Sequence, residues 1–285
     1  MKTKNLFIAS LMAVALFTSC TSSDKTQDSS TAISTEQVAV DAKIDASVDD
    51  VSDIVEDQFT MKQGMTSKSP ETMKSMLPAC AKVTWTLVDG LFTGTIDFGT
   101  EGCPLENGNV LKGKMTITFS ANFATSEQTI TYSFDGFMHN GNKLQGTKTI
   151  TRSLKSTELL AAVHPVSTCS IDMTITFEDG KTYTRTGNRV KEMTEGYDTK
   201  GNWDDNVFLV IGSGTTTMPN GDKCSSTIKT PLRFVMACKK PFPVSGTVLK
   251  VKNDTEALVD FGTGECDNLA TVTIAGVTTT IELKK

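Results

Sequence analysis

The residues with the most chemistry to offer are seven cysteines, two histidines and a few acid pairs. Cys80, Cys103, Cys169, Cys224, Cys238 and Cys266 form an even set once Cys20, isolated near the N-terminus, is set aside. Zinc sites draw on closely spaced pairs such as C-x2-C, and the chain has none, so no metal ligand is assigned. Widely spaced cysteines in even number read instead as a disulfide framework in an oxidising compartment. His139 lies in Met138-His139-Asn140-Gly141-Asn142, a hairpin tip where a solvated ring is expected. His164 precedes Pro165 and has no partner nearby in sequence. Glu178-Asp179 and Asp204-Asp205 could serve a glycosidase only with carboxyls at about 5 or about 6.5–9.5 Å, and the first pair runs into Gly180 like a turn. G-x-S-x-G, H-E-x-x-H and the phosphate-binding loop are absent. No catalytic residue is assigned, and no cofactor is expected.

A near-duplicate carries the sharpest local signal. Asp97-Phe98-Gly99-Thr100-Glu101-Gly102-Cys103 matches Asp260-Phe261-Gly262-Thr263-Gly264-Glu265-Cys266, with Glu and Gly exchanged. Cys80 leads strand 83–88, the Asp89-Gly90 turn and a returning strand to Cys103. Cys238, strand 244–252, the Asn253-Asp254 turn and Cys266 repeat that order. The start of a hairpin's first strand lies beside the end of its second, so each pair closes a hairpin base. That geometry predicts Cys80–Cys103 and Cys238–Cys266, and elimination leaves Cys169–Cys224. Asp260, Glu265 and Asp267 could gather round Ca²⁺, but Pro104 and Leu105 follow the first copy's cysteine, so its acids do not recur in register. The plainer role for Asp is to accept backbone N–H groups in the turn.

These groups need elements to hold them. Residues 38–65 read as an amphipathic helix, with Ile44, Val48, Val51, Ile54, Val55 and Phe59 at spacings of three and four and acids between. The expected role is to cover one face of the sheet that follows; a partner-binding helix is the alternative. Ser69-Pro70-Glu71 opens a short second helix, stopped by Pro78. Beyond Cys80 the period becomes two: Met115, Ile117 and Phe119; Ile130, Tyr132 and Phe134; Ile171, Met173, Ile175 and Phe177. Turn dipeptides at Asp89-Gly90, Asn140-Gly141, Asp179-Gly180, Asn220-Gly221 and Ala275-Gly276 punctuate these runs. No helical pattern lies between the strands. The fold class is all-β: a large antiparallel meander, curled sheet or sandwich with an N-terminal amphipathic helix. Thr-x-Thr recurs, as at Thr84/Thr86, Thr116/Thr118 and Thr174/Thr176. It offers a hydroxyl face for glycan or ice, or simply suits an exposed strand; the irregular spacing argues against a regular solenoid lattice.

The N-terminus supplies the address. Lys2 and Lys4 precede an apolar run from Leu6 to Phe17, which Thr18-Ser19-Cys20 closes. The run is too short for a membrane-spanning helix of about 20 residues and has secretory-signal proportions. The small residues before Cys20 resemble the lipobox of bacterial lipoproteins, with Phe17 three places before the cysteine, a looser form similar to that of Bacteroidota. That resemblance implies acylation at Cys20, and Thr21 in place of Asp favours the outer membrane. Thr21 to Glu36 is almost wholly Ser, Thr, Asp, Gln and Lys, a tether composition. The division is a signal peptide at 1–19, lipidated Cys20 and tether at 20–37, a helical segment at 38–79 and a disulfide-bonded β domain at 80–285. Without residues 1–19 the chain holds 26 basic and 33 acidic residues, and no basic cluster tracks a phosphate backbone, so nucleic acid is not expected as a partner. Ile96-Asp97-Phe98-Gly99, Leu111 to Ile117 and Gly146-Thr147-Lys148-Thr149, in this order with the cysteines, resemble uncharacterised all-β lipoproteins of Bacteroidota. The resulting expectation is a non-catalytic outer-membrane lipoprotein, held to the membrane through its lipid, with an envelope protein or a glycan as partner. A surface protein that binds or hydrolyses glycan is the alternative, for which Trp85 and Trp203 should both be exposed near acids.

Overall fold

Left-handed backbone at two-residue turns sets the frame. Asp89-Gly90, Asn140-Gly141, Asn253-Asp254 and Ala275-Gly276 each hold two successive positive φ angles, 46–50° at the first residue and 63–81° at the second. That pairing matches the right-handed twist of the strands it joins. The computed structural model describes residues 32–66, 73–199 and 202–285. Its strands are β1 Lys82–Val88, β2 Leu91–Asp97, β3 Cys103–Pro104, β4 Val110–Ser120, β5 Glu127–His139, β6 Asn142–Lys155 and β7 His164–Thr176. They continue with β8 Thr182–Glu195, β9 Val207–Thr217, β10 Lys223–Val235, β11 Ser245–Lys252, β12 Thr255–Thr263, β13 Leu269–Ile274 and β14 Val277–Glu282. Neighbours pair in chain order from β1 to β14 as one antiparallel sheet, with the short β3 set aside on β4. With 54% strand against 14% helix the chain is all-β.

The helix, α1, spans Thr35–Thr66. Every residue from Asp50 to Phe59 is buried, close to three turns with no wet face. Thus α1 does not lie on the sheet as a cover; the sheet curls round α1. A sheet of this width twists and curls rather than staying flat, and its inward alternate residues close on the helix. Ile44, Val48, Val51, Val55 and Phe59 share a core with Ile96, Met115, Ile117, Ile130, Ile150 and Ile171. Val38 and Ala46 join Phe208, Val210, Leu232, Val248, Val259 and Val272 in a second. The expected helix start at Ser69-Pro70-Glu71 lies outside the described residues, and Met73–Pro78 is not helical.

One irregularity redirects chemistry. The register of β5 slips against β4 at Gly113 and against β6 between Ser133 and Met138. Inward positions therefore change phase, from Gln128, Ile130 and Tyr132 to Phe137 and His139. Such a bulge re-aims every side chain beyond it. Gly113 sits at φ +78°, and a Cβ there would meet the Gly136 carbonyl oxygen at 2.2 Å. Gly113→Ala should cost at least about 2 kcal/mol, read by urea denaturation; unchanged stability would show that the bulge tolerates a side chain.

Two hairpin-base disulfides are present: Cys80–Cys103 and Cys238–Cys266, with Cα atoms 5.7 and 5.2 Å apart. The third expected bridge is not. Cys169 and Cys224 are free, buried thiols on β7 and β10, with β8 and β9 between. Three inter-strand steps separate them by roughly 14 Å along the sheet, beyond the 7 Å or so that a disulfide bridges. Elimination failed because inward-facing thiols can stay reduced in a core. Peptide mapping without reduction should recover the two bridges, and alkylation after unfolding should label Cys169 and Cys224; a peptide joining those two would overturn the strand order.

Candidate functional site

A ridge of carboxylates runs along α1. Asp41, Asp45, Asp49, Asp53 and Asp57 recur every fourth residue, and each step turns the ridge about 40° round the helix. Like charges at this spacing repel, so the ridge needs cations, which the inner face of the sheet supplies. Lys250 of β11 meets Asp41 at 3.0 Å. From β8, Arg185 and Arg189 reach Asp45 at 3.0 and 2.7 Å, Arg189 contacts Asp49, and Lys191 contacts Asp53. The match is one of periods: four helical residues rise about 6.0 Å and two strand residues about 6.8 Å. Space for the guanidinium is kept by Gly214, where a Cβ would come within 3.0 Å of Arg185 Cζ. Burial raises the Asp49 carboxyl, whereas at Asp45 the two arginines outweigh burial and hold the group at about 2.

The histidines belong to this interior. His139, expected in solvent, is 2% exposed because the β5 bulge turns it inward. Its Nε2 lies 2.8 Å from Asp50 Oδ2 and its Nδ1 3.1 Å from Ser47 Oγ. Asn107 and Asn109 donate to the same Asp50 carboxylate at 2.8 and 2.5 Å. Ser47, His139 and Asp50 have the residue types of a nucleophile relay, yet Ser47 Oγ donates to the Lys43 carbonyl at 2.9 Å and is itself 2% exposed. The cluster fastens α1 to β5. His164 is fully buried, with Nδ1 donating to the Ala162 carbonyl at 2.7 Å and Nε2 3.0 Å from Glu192 Oε2. Glu192 also accepts from Thr157 Oγ1 at 2.6 Å. The partner absent from the local sequence comes from β8.

The last turns of α1 open onto a cleft of about 510 Å³, within the range of small-molecule sites. Thr60, Met61, Gln63 and Gly64 form one wall. Arg152 and Leu154 at the end of β6, Val163 and Pro165 about the start of β7, and Met193 of β8 form another. Tyr197, Thr199, Asn202, Trp203 and Asn206 complete the rim. Arg152 stands at the floor over the Phe59 ring, 5.4 Å from its centroid. Among the described residues its Nε, closed off from solvent, has no hydrogen-bond acceptor; Glu56 Oε2 pairs with it at 3.8 Å, beyond hydrogen-bonding range. Burial disfavours both charges, lowering the pKa of Arg152 and raising that of Glu56.

Scanned against models of known protein families the chain matches none, and a search of curated proteins finds no match. The cleft's chemistry must be read from its own residues.

The remaining sequence candidates fall elsewhere. Cys20 lies outside the described residues. Asp97 and Asp260 each accept the backbone N–H two residues on, from Gly99 and Gly262, at 2.9 Å. Asp179 accepts the Lys181 N–H at 3.0 Å in its turn, and Asp205 accepts from Thr199 and Asn202 at 2.7 and 2.9 Å. Of the two indoles, Trp203 lines the cleft, while Trp85 packs edge-on against Phe92 and Phe119. Thr86, Thr93, Thr118, Thr131 and Thr149 align in one rank across five neighbouring strands; register sets that alignment, so uneven sequence spacing does not prevent it. The Asp ridge and the cleft went unread. The ridge had a signal, five aspartates at intervals of four, which no solvated helix face needs.

Proposed function

We propose that this chain is a non-catalytic binding protein of the cell envelope, lipid-anchored at Cys20 to the outer membrane, that takes a small ligand in the cleft at the C-terminal end of α1. The observation that carries this reading is the cleft itself: apolar side chains, the largely buried Arg152 guanidinium and the exposed Lys74 ammonium line a space of about 510 Å³. Trp203 beside Asn202, Asn206 and Thr199 favours a second reading, a neutral glycan, though Trp85 gives it no second platform.

Full chain carrying Cys20→Ser, titrated with the neutral apolar dye Nile red, should bind it. Leu154→Asp, at a side chain already 62% exposed, should weaken binding at least tenfold without unfolding the protein. Equal binding by both proteins would sink the cleft as the site. A neutral oligosaccharide that displaces the dye would favour the glycan reading. Metabolic palmitate labelling should mark the wild type and vanish in Cys20→Ser; a blank wild type would remove the anchor.

A further inference from the structure

We propose that the cleft binds a single-chain anionic amphiphile, its oxyanion head on Arg152 and its hydrocarbon along Met61, Leu154, Val163, Met193 and Trp203. This rests on the cleft being a ligand site. The head follows from Arg152. Its side chain lines the cleft and keeps 12% of its surface exposed, and a planar guanidinium fork fits a carboxylate or phosphate through two parallel hydrogen bonds. Glu56 pairs with Arg152 at 3.8 Å, beyond hydrogen-bonding range, so it does not occupy the fork. Asp57, the acid lining the cleft, is already engaged by Ser75 Oγ at 2.5 Å, Gln58 Nε2 at 2.8 Å and the Met76 N–H at 3.2 Å. The tail follows from the walls. Leu154 and Val163 are each 62% exposed, apolar groups held in water at the mouth of a cavity. Met61, Met73 and Met193 add adaptable thioethers, a surface that accepts a flexible chain. Affinity should rise roughly fourfold for each methylene buried.

The test titrates dodecanoate, dodecyl phosphate, dodecan-1-ol and dodecyltrimethylammonium against Nile red on the full Cys20→Ser chain. The anions should bind about 10- to 100-fold tighter than the alcohol, and the ammonium weakest. Dodecanoate against dodecyl phosphate then tells a fatty carboxylate from a lipid phosphate as the source of the head. Arg152→Gln should abolish the gap between anion and alcohol, while Arg152→Lys, a point charge without the fork, should keep part of it. Near-UV circular dichroism checks folding; if the Gln variant unfolds, a shrunken gap in the Lys variant carries the result. Alcohol binding as tightly as the anions, or a gap that survives Arg152→Gln, overturns the head-group assignment while leaving the cleft in place. Failure of Nile red to bind the parent chain removes the cleft reading and this inference together.

Discussion

Lys250→Met should destabilise the fold by about 3–5 kcal/mol, because it strands a buried carboxylate. Lys250 Nζ is 3.0 Å from Asp41 Oδ2, the side chains are 4% and 2% exposed, and Ser226 Oγ takes another ammonium proton at 3.1 Å. The cost belongs to the unpaired Asp41 rather than to a lost net attraction, since burying a pair costs about what the pair returns. Asp41→Asn combined with Lys250→Met should therefore recover most of the loss. Urea denaturation of the three variants decides it: a single variant within 1 kcal/mol or so of wild type would show that this rung does not hold α1. The ridge also sets an acid limb. Asp45 is held at about 2 against an ordinary 3.8, so its stabilisation is complete above the unfolded value and disappears as pH falls through about 2. The shift corresponds to ~2 kcal/mol. Asp49 and Glu56, raised by burial, act in the opposite sense, gaining stability as pH falls through their folded values. Asp45→Asn isolates the first contribution: it should flatten the loss between about pH 5 and pH 2, and an unchanged acid limb would refute it.

Phe59→Ala should cost about 3–5 kcal/mol. The ring is fully buried and meets Phe119 and Phe123 edge-on at centroid distances of 5.0 and 5.6 Å. Truncation removes the apolar burial and leaves a cavity where α1 is enclosed most tightly. It also takes the ring from beneath Arg152, so the variant should lose near-UV ellipticity and, where still folded, ligand affinity. A loss under about 1 kcal/mol would mean that the neighbours collapse into the space and that the enclosure is loose.

Much of this protein was legible one segment at a time. Ile44, Val48, Val51 and Phe59 at helical spacing marked α1, and period-two runs with Asp89-Gly90, Asn140-Gly141 and Ala275-Gly276 marked hairpins. Two disulfides followed because each closes a local hairpin, where nearness in sequence becomes nearness in space. The Cys169–Cys224 pairing failed because it needed the order of distant strands. His139 was misplaced because one extra residue in β5, where Gly136 and Phe137 oppose Gly113, changes the phase of the strand. What the chain determined by itself were the elements, their turns and the two local bridges, all fixed by steric preference and hydrophobic period over a few residues. Only the tertiary structure decided that the sheet curls round the helix, that β8 and β11 bring cations to its aspartates, and that Arg152 and Trp203, far apart in sequence, share one cleft. Those outcomes depend on twist and register accumulated across many strands, which no short stretch of sequence encodes.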